Sequence, residues 1–296
     1  MKIRTELIKS FIPPIVLNKI QYFKAYLQFF SSRRFVRENS SLRNLYKGKR
    51  CFILGSGKSI DLENLAPLNG EIIIGIHSFV HHPIFNEIMT SDIPKFYFNA
   101  PIHAPETEED WTRNFTELQE LIPENVKNIF GLSNYSPSIK DIVDKNNLFN
   151  NRKINWFFSN IVNSTNIYSP SKKDLDLQSN IWTSNTGSVL ALIAAIYMGF
   201  DKIYLLGMDH DLFLHEVGEG RFEDINKDFF LFEKEIDIIS MQDDVNNMWE
   251  FNNLGEIFLQ YQRLNEMYPG RIFNLGKKSL LDIFPQQDLS KVLQEL

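Results

Sequence analysis

The sequence predicts an α/β fold, a doubly wound and mostly parallel Rossmann-like sheet, from three features. Short apolar runs bounded by turn residues recur at 51–54, 71–76, 96–98, 128–132, 202–206 and 271–273. They lack strict apolar–polar alternation, as strands buried on both faces do. Helix-like stretches separate several of them, which parallel strands require for their crossovers. Two loops rich in Gly, Ser and Thr stand where a turn opens a helix, one directly after the first apolar run.

Composition narrows the function classes. With 296 residues, 43% hydrophobic and 23% charged, the chain is globular rather than disordered. The single Cys51 excludes an intrachain disulfide framework and a cysteine zinc cluster; inside a strand it reads as a buried, inert thiol, which fits a reducing cytoplasm. Residues 1–50 carry twelve Lys or Arg against Glu6 and Glu38, a net +10, which leaves −16 on the remainder of a chain whose total is −6. An acidic body argues against a nucleic-acid-binding surface.

The chain divides into a basic arm, 1–49, and a Rossmann-like domain, 50–296. In the arm, apolar residues from Leu7 to Phe30 recur at spacings near three and four, broken once by Pro13 and Pro14, which suggests an amphipathic helix. No apolar run approaches the roughly 20 residues that span a bilayer. A signal peptide's compact apolar core is also missing. The arm reads as a peripheral contact with an anionic, inner-membrane face, or else as a helix packed on the body or on a partner.

After the first strand come Gly55, Ser56, Gly57, Lys58 and Ser59, small residues that leave backbone amides accessible to an anion where a helix begins. The glycines alone also fit a tight strand-to-helix turn. Gly57-Lys58-Ser59 ends like a P-loop but lacks that motif's spacing from an earlier glycine. Residues 136–181, rich in Asn, Lys and Ser, suggest a lid or small insertion. Thr186, Gly187 and Ser188 then open a helix that is almost wholly apolar over 189–198, with Gly199 as its C-cap. The following strand ends in Gly207-Met208-Asp209-His210-Asp211, polar groups at the carboxyl end where such sheets keep their ligands. The acidic stretch 216–248 reads as a solvated surface.

A set of segments, in order, resembles a known group of enzymes: Ile53-Leu54-Gly55-Ser56-Gly57-Lys58-Ser59-Ile60, Phe96-Tyr97-Phe98-Asn99-Ala100-Pro101, Leu132-Ser133-Asn134-Tyr135, Thr186-Gly187-Ser188, Lys202-Ile203-Tyr204-Leu205-Leu206-Gly207-Met208-Asp209 and Ser279-Leu280-Leu281. They are similar to the bacterial lipooligosaccharide sialyltransferases that use CMP-linked sugars. They are also similar to the broader family named after the archaeal 6-hydroxymethylpterin diphosphokinase. The resemblance implies a nucleotide-sugar donor and transfer without a metal; the pterin branch implies ATP and Mg²⁺. This chain has Ser56 and His77 where the sialyltransferases have Asn, and Asp211 nearest the first of their two phosphate-binding tyrosines. No His follows His215 to stand for their base.

Inverting sugar transfer needs preorganised donors for the leaving phosphate and a base for the acceptor hydroxyl. Gly55, Ser56, Gly57, Ser59, Thr186, Gly187 and Ser188 supply the first role; His77, Asn99 and Asn134 suit base, ribose or sugar contacts. The catalytic base comes from Asp209, His210, Asp211 or His215, the imidazoles preferred because they titrate near neutrality. Asp209 and Asp211 are also spaced to share Mg²⁺ or Mn²⁺, although no metal is required, and Asp209 alone can serve as a structural acceptor. His81, His82 and His103 read as ordinary loop residues, and the tryptophans as packing, with Trp182 closest to the second loop.

The expected protein is a cytoplasmic, membrane-associated glycosyltransferase building a bacterial surface polysaccharide or a lipid-linked glycan. The alternatives are a pyrophosphokinase acting on a pterin-like alcohol and a non-catalytic nucleotide-binding partner in glycan assembly. Self-association is left open.

Overall fold

Strand β1 (Arg50–Leu54) sits inside the sheet with parallel neighbours on both sides, β2 (Ile73–Ile76) and β7 (Lys202–Leu206). With β3 (Lys95–Asn99), β4 (Lys127–Leu132), β5 (Ile154–Ser159), β6 (Asn180–Ile181) and β8 (Ile272–Asn274), they form an eight-stranded parallel sheet in the order β6-β5-β4-β3-β2-β1-β7-β8. The computed structural model describes residues 14–103, 106–160, 170–210, 244–277 and 279–295.

The chain steps outward from β1 to β6, then returns to lay β7 on the other side of β1. That reversal makes the carboxyl ends of β1 and β7 the topological switch point, where loops leave in opposite directions and ligands bind in folds of this kind.

The helices are α1 (Pro14–Val36), α2 (Phe85–Met89), α3 (Glu108–Leu121), α4 (Ile139–Lys145), α5 (Gly187–Met198), α6 (Asp244–Met267) and α7 (Leu289–Gln294). Successive strand residues point to opposite faces, which builds two cores. Ile53, Ile76, Phe98 and Leu205 pack with α5 and α6, whereas Phe52, Leu54, Tyr97 and Leu206 pack with α2, α3, α4 and α7. Every residue of α5 is buried, as its apolar sequence requires. Gly199 closes that helix at φ +87°, donating its N–H to Ile196 O at 3.0 Å.

The structure revises three expectations. Strands β5 and β6 and helix α4 fall within 136–181, so the described part of the expected lid or insertion is sheet and flanking helix. Among the described residues, Ser138 and Asn146 flank α4, whereas Asn155, Ser159 and Asn180 lie in the strands with Trp156, Phe157 and Phe158.

The boundary at residue 49 does not separate an arm from a body. The Phe29 ring meets that of Phe158 edge-on at 5.7 Å, and Val36 is fully buried. Asn39, also buried, donates from Nδ2 to Trp156 O at 2.7 Å and Leu177 O at 3.0 Å. Phe23, Tyr26, Leu27 and Phe30 are instead 52–64% exposed. Apolar residues on both faces of α1 follow from this, because one face is docked and another is open.

Finally, the first glycine loop opens a five-residue 3₁₀ helix, Lys58–Leu62, rather than an α-helix. Cys51 is buried and free, in line with the sequence reading.

Candidate functional site

The loops after β1 and β7 are bonded to each other. Gly55 N donates to Leu206 O and Gly57 N to Gly207 O, both at 2.9 Å. A methyl on Gly55 would lie 2.6 Å from Gly207 O, so only glycine lets the backbones approach this closely. Ser59 N donates to Asp209 Oδ2 at 2.7 Å, and Leu280 N to Asp209 O at 3.0 Å. Ser279 Oγ completes the brace by donating to Met208 O at 2.7 Å.

Three amides of the expected phosphate loop, those of Gly55, Gly57 and Ser59, are thus already bonded. The exposed member is Ser56. Asp209 is buried, and its Oδ2 holds the neighbouring loop in place. This geometry matches a structural acceptor. Asp211 and His215 lie outside the described residues, as does the Mg²⁺ or Mn²⁺ pairing of Asp209 with Asp211. Among the described residues, no group of three or more His, Cys, Asp or Glu converges as a metal site.

The second loop forms the N-terminus of α5. Thr186 is its N-cap, with Oγ1 accepting from Ser188 N at 3.4 Å and 2.8 Å from Ser188 Oγ. Tyr261 OH donates to Ser188 Oγ at 2.6 Å, and His210 Nε2 is 3.0 Å from Tyr261 OH. A phenol has one proton, so His210 Nε2–H is the donor in the second contact. Burial pushes the Tyr261 hydroxyl well above its ordinary value, keeping it a neutral relay. Helix α6 fixes the preceding turn: Ser184 Oγ donates to Gln260 Oε1 and Gln260 Nε2 to Thr183 O, both at 2.6 Å. Trp182 is buried in the core rather than facing a ligand.

His77 approaches α5 from the carboxyl end of β2. Its backbone is left-handed, φ +50°, and Tyr97 OH donates to its carbonyl at 2.9 Å. A methyl on Gly187 would fall 2.3 Å from His77 Nε2, so the ring lies directly against the first residue of α5. The surrounding protein pushes the His77 imidazole down, to about 4. Over a third of the residue still faces the open cleft, so water moderates the effect, and its direction is what matters: the ring is neutral at pH 7. The positive end of α5 acts the same way.

Beyond His77 lies a cleft of ≈ 180 Å³. One wall is the 3₁₀ helix His77–His81; another is the end of β3 at Asn99 and the Ala100 that follows it. Helix α3 closes it with Trp111, Asn114 and Leu118, which share one helical face at i, i+3 and i+7. A capping box fixes the start of α3: Thr107 Oγ1 accepts from Asp110 N, and Asp110 Oδ2 from Thr107 N.

No family model and no curated protein matches this chain.

The structure brings Thr186, Gly187, Ser188, His77 and His210 together at the N-terminus of α5, with Asn99 on the adjoining cleft. Asn134 lies elsewhere, its carbonyl accepting from Gln28 Nε2 of α1 at 3.4 Å, and it does not line the cleft. Sequence reading missed the association of His77, His81 and His103, all of which border the cleft. No spacing along the chain signals it, since His103 follows a different strand from the other two.

Proposed function

We propose that the protein is a glycosyltransferase that takes a nucleotide-activated sugar, with a CMP-sugar favoured, and transfers the sugar to a hydroxyl of a surface polysaccharide or lipid-linked glycan. One observation carries the reading: a rigid, wholly buried helix opens its N-terminus, with the Thr186 and Ser188 hydroxyls, against the neutral imidazole of His77 and beside a ring-sized cleft. A helix N-terminus suits the phosphate of a donor and the charge that grows on it as the glycosidic bond breaks.

The arm supports a membrane-bound acceptor. Phe23, Tyr26, Leu27 and Phe30 form an exposed stripe at i, i+3, i+4 and i+7, and the exposed Arg33, Arg34 and Arg37 follow it on the chain. An anionic lipid surface complements both features. No described helix is long and apolar enough to cross a membrane, so the contact proposed is peripheral.

Isothermal titration with CMP, CDP, UDP, GDP and ATP, each with and without Mg²⁺, tests the reading. It calls for CMP binding without metal. Mg²⁺-dependent ATP binding would instead favour a pyrophosphokinase, and nucleotide binding without turnover of any donor would favour a non-catalytic partner.

A further inference from the structure

The lining of the cleft between His77 and α3 is chemically selective. Its twelve lining residues include no carboxylate, lysine or arginine. They offer the Trp111 indole, the amides of Asn99 and Asn114, and three imidazoles. Such a lining suits an uncharged ring bearing hydroxyl groups, and a volume of ≈ 180 Å³ suits one ring rather than an intact nucleotide. A phosphate or a carboxylated ligand would find no fixed cation there.

His77 connects this cleft to the N-terminus of α5. Its backbone is left-handed, as is that of His210 at φ +54°, a conformation that in non-glycine residues is found most often at functional sites. The Tyr97 hydroxyl bond to the His77 carbonyl helps to hold that backbone. His210 is placed differently, since its Nε2 is occupied in the relay to Tyr261 and Ser188.

We propose that the cleft is the acceptor-sugar site and that His77 is the catalytic base, a role expected from sequence of Asp209, His210, Asp211 or His215. The inference rests on the glycosyltransferase reading. In the step, the acceptor hydroxyl gives its proton to the His77 imidazole as its oxygen forms a bond to the donor's anomeric carbon. The bond from that carbon to the phosphate oxygen breaks, and its electron pair leaves on the phosphate at α5. The imidazolium then returns its proton to water. The negative charge that grows on the leaving phosphate beside it favours the imidazolium, offsetting the burial and the helix end that otherwise hold the ring neutral.

Neutral methyl glycosides are titrated by saturation-transfer NMR onto the full chain, with and without CMP, and sugar transfer is measured in parallel. Binding of a glycoside that is lost in Trp111→Ala, and weakened in His103→Ala, whose side chain is 60% exposed and removable without disturbing the core, supports the cleft. His77→Asn, a residue that tolerates the left-handed backbone, is expected to lower transfer at saturating donor and acceptor about 10²–10⁴-fold, beyond any loss of CMP or glycoside affinity. Its residual rate should also lose the acid limb of the pH profile. The other ionisable groups at the cleft are Tyr97, His81 with Glu117 at 3.8 Å, and His103 with Glu106 at 3.9 Å, and His103→Ala should leave that limb in place.

Undiminished transfer by His77→Asn, or CMP binding with no glycoside binding, overturns the proposal. If glycosides bind in the cleft but CMP and other nucleotides do not, the donor reading fails while the cleft assignment stands.

Discussion

Gly57 and Asp209 are in direct contact: a methyl on Gly57 would lie 2.6 Å from Asp209 Cγ, while Asp209 Oδ2 accepts the Ser59 amide at 2.7 Å. The Gly57 backbone is ordinary, φ −65°, so the glycine is needed for space and not for conformation. Gly57→Ala is therefore expected to push the Asp209 carboxylate off Ser59 and to cost about 1–3 kcal/mol, measured by urea unfolding. Asp209→Ala, which removes the same bond without a clash, should cost a similar amount.

Tyr261→Phe removes one oxygen and breaks two bonds, to Ser188 and to His210. It leaves the buried Ser188 hydroxyl with one partner fewer, and a loss of about 1–3 kcal/mol is expected. Thermal unfolding measures the loss. If Ser188 contacts the donor phosphate, nucleotide affinity should fall as well.

His77 sets a pH dependence. Its folded-state value lies below the unfolded one of 6.5, so the unfolded chain takes up the proton more readily. The stabilisation is complete above the unfolded value and is lost as the pH falls from there toward about 4. His77→Asn should unfold with a shallower dependence on pH between 7 and 4 than the wild type, when both are followed by urea denaturation at several pH values.

Replacing Phe23, Tyr26 and Phe30 with Ser removes exposed apolar area without touching Phe29, which is docked on Phe158. Sedimentation with vesicles containing phosphatidylglycerol should fall sharply for this triple variant, with the unfolding midpoint unchanged. Reversing Arg33 and Arg34 to Glu should weaken binding further, by about 1 kcal/mol for each charge removed, and only on anionic vesicles.

Strands of the central sheet were legible because each is an unbroken apolar run. β5 was missed because it is embedded in a polar stretch, and β6 because two residues, Asn180 and Ile181, carry no pattern at all. Helix α5 was read closely, from its N-cap to Gly199, since its composition leaves no exposed face. The site was legible only in part. Thr186, Gly187 and Ser188 announce themselves by the helix they open. The consumption of the Gly57 and Ser59 amides by the β7 loop, and the convergence of His77, His81 and His103 with Trp111, depend on pairings between distant segments that no local periodicity encodes.

Placement of a donor phosphate at the N-terminus of α5 beside His77 is checked by titrating CMP into the wild type and Gly187→Ala. Alanine favours the helix, but its methyl would occupy space 2.3 Å from His77 Nε2 and displace the ring across the helix end. Metal-independent CMP binding by the wild type, weakened about tenfold or more in a Gly187→Ala protein that remains folded, is the expected result. Failure of the wild type to bind CMP, or equal affinity in both proteins, would contradict it.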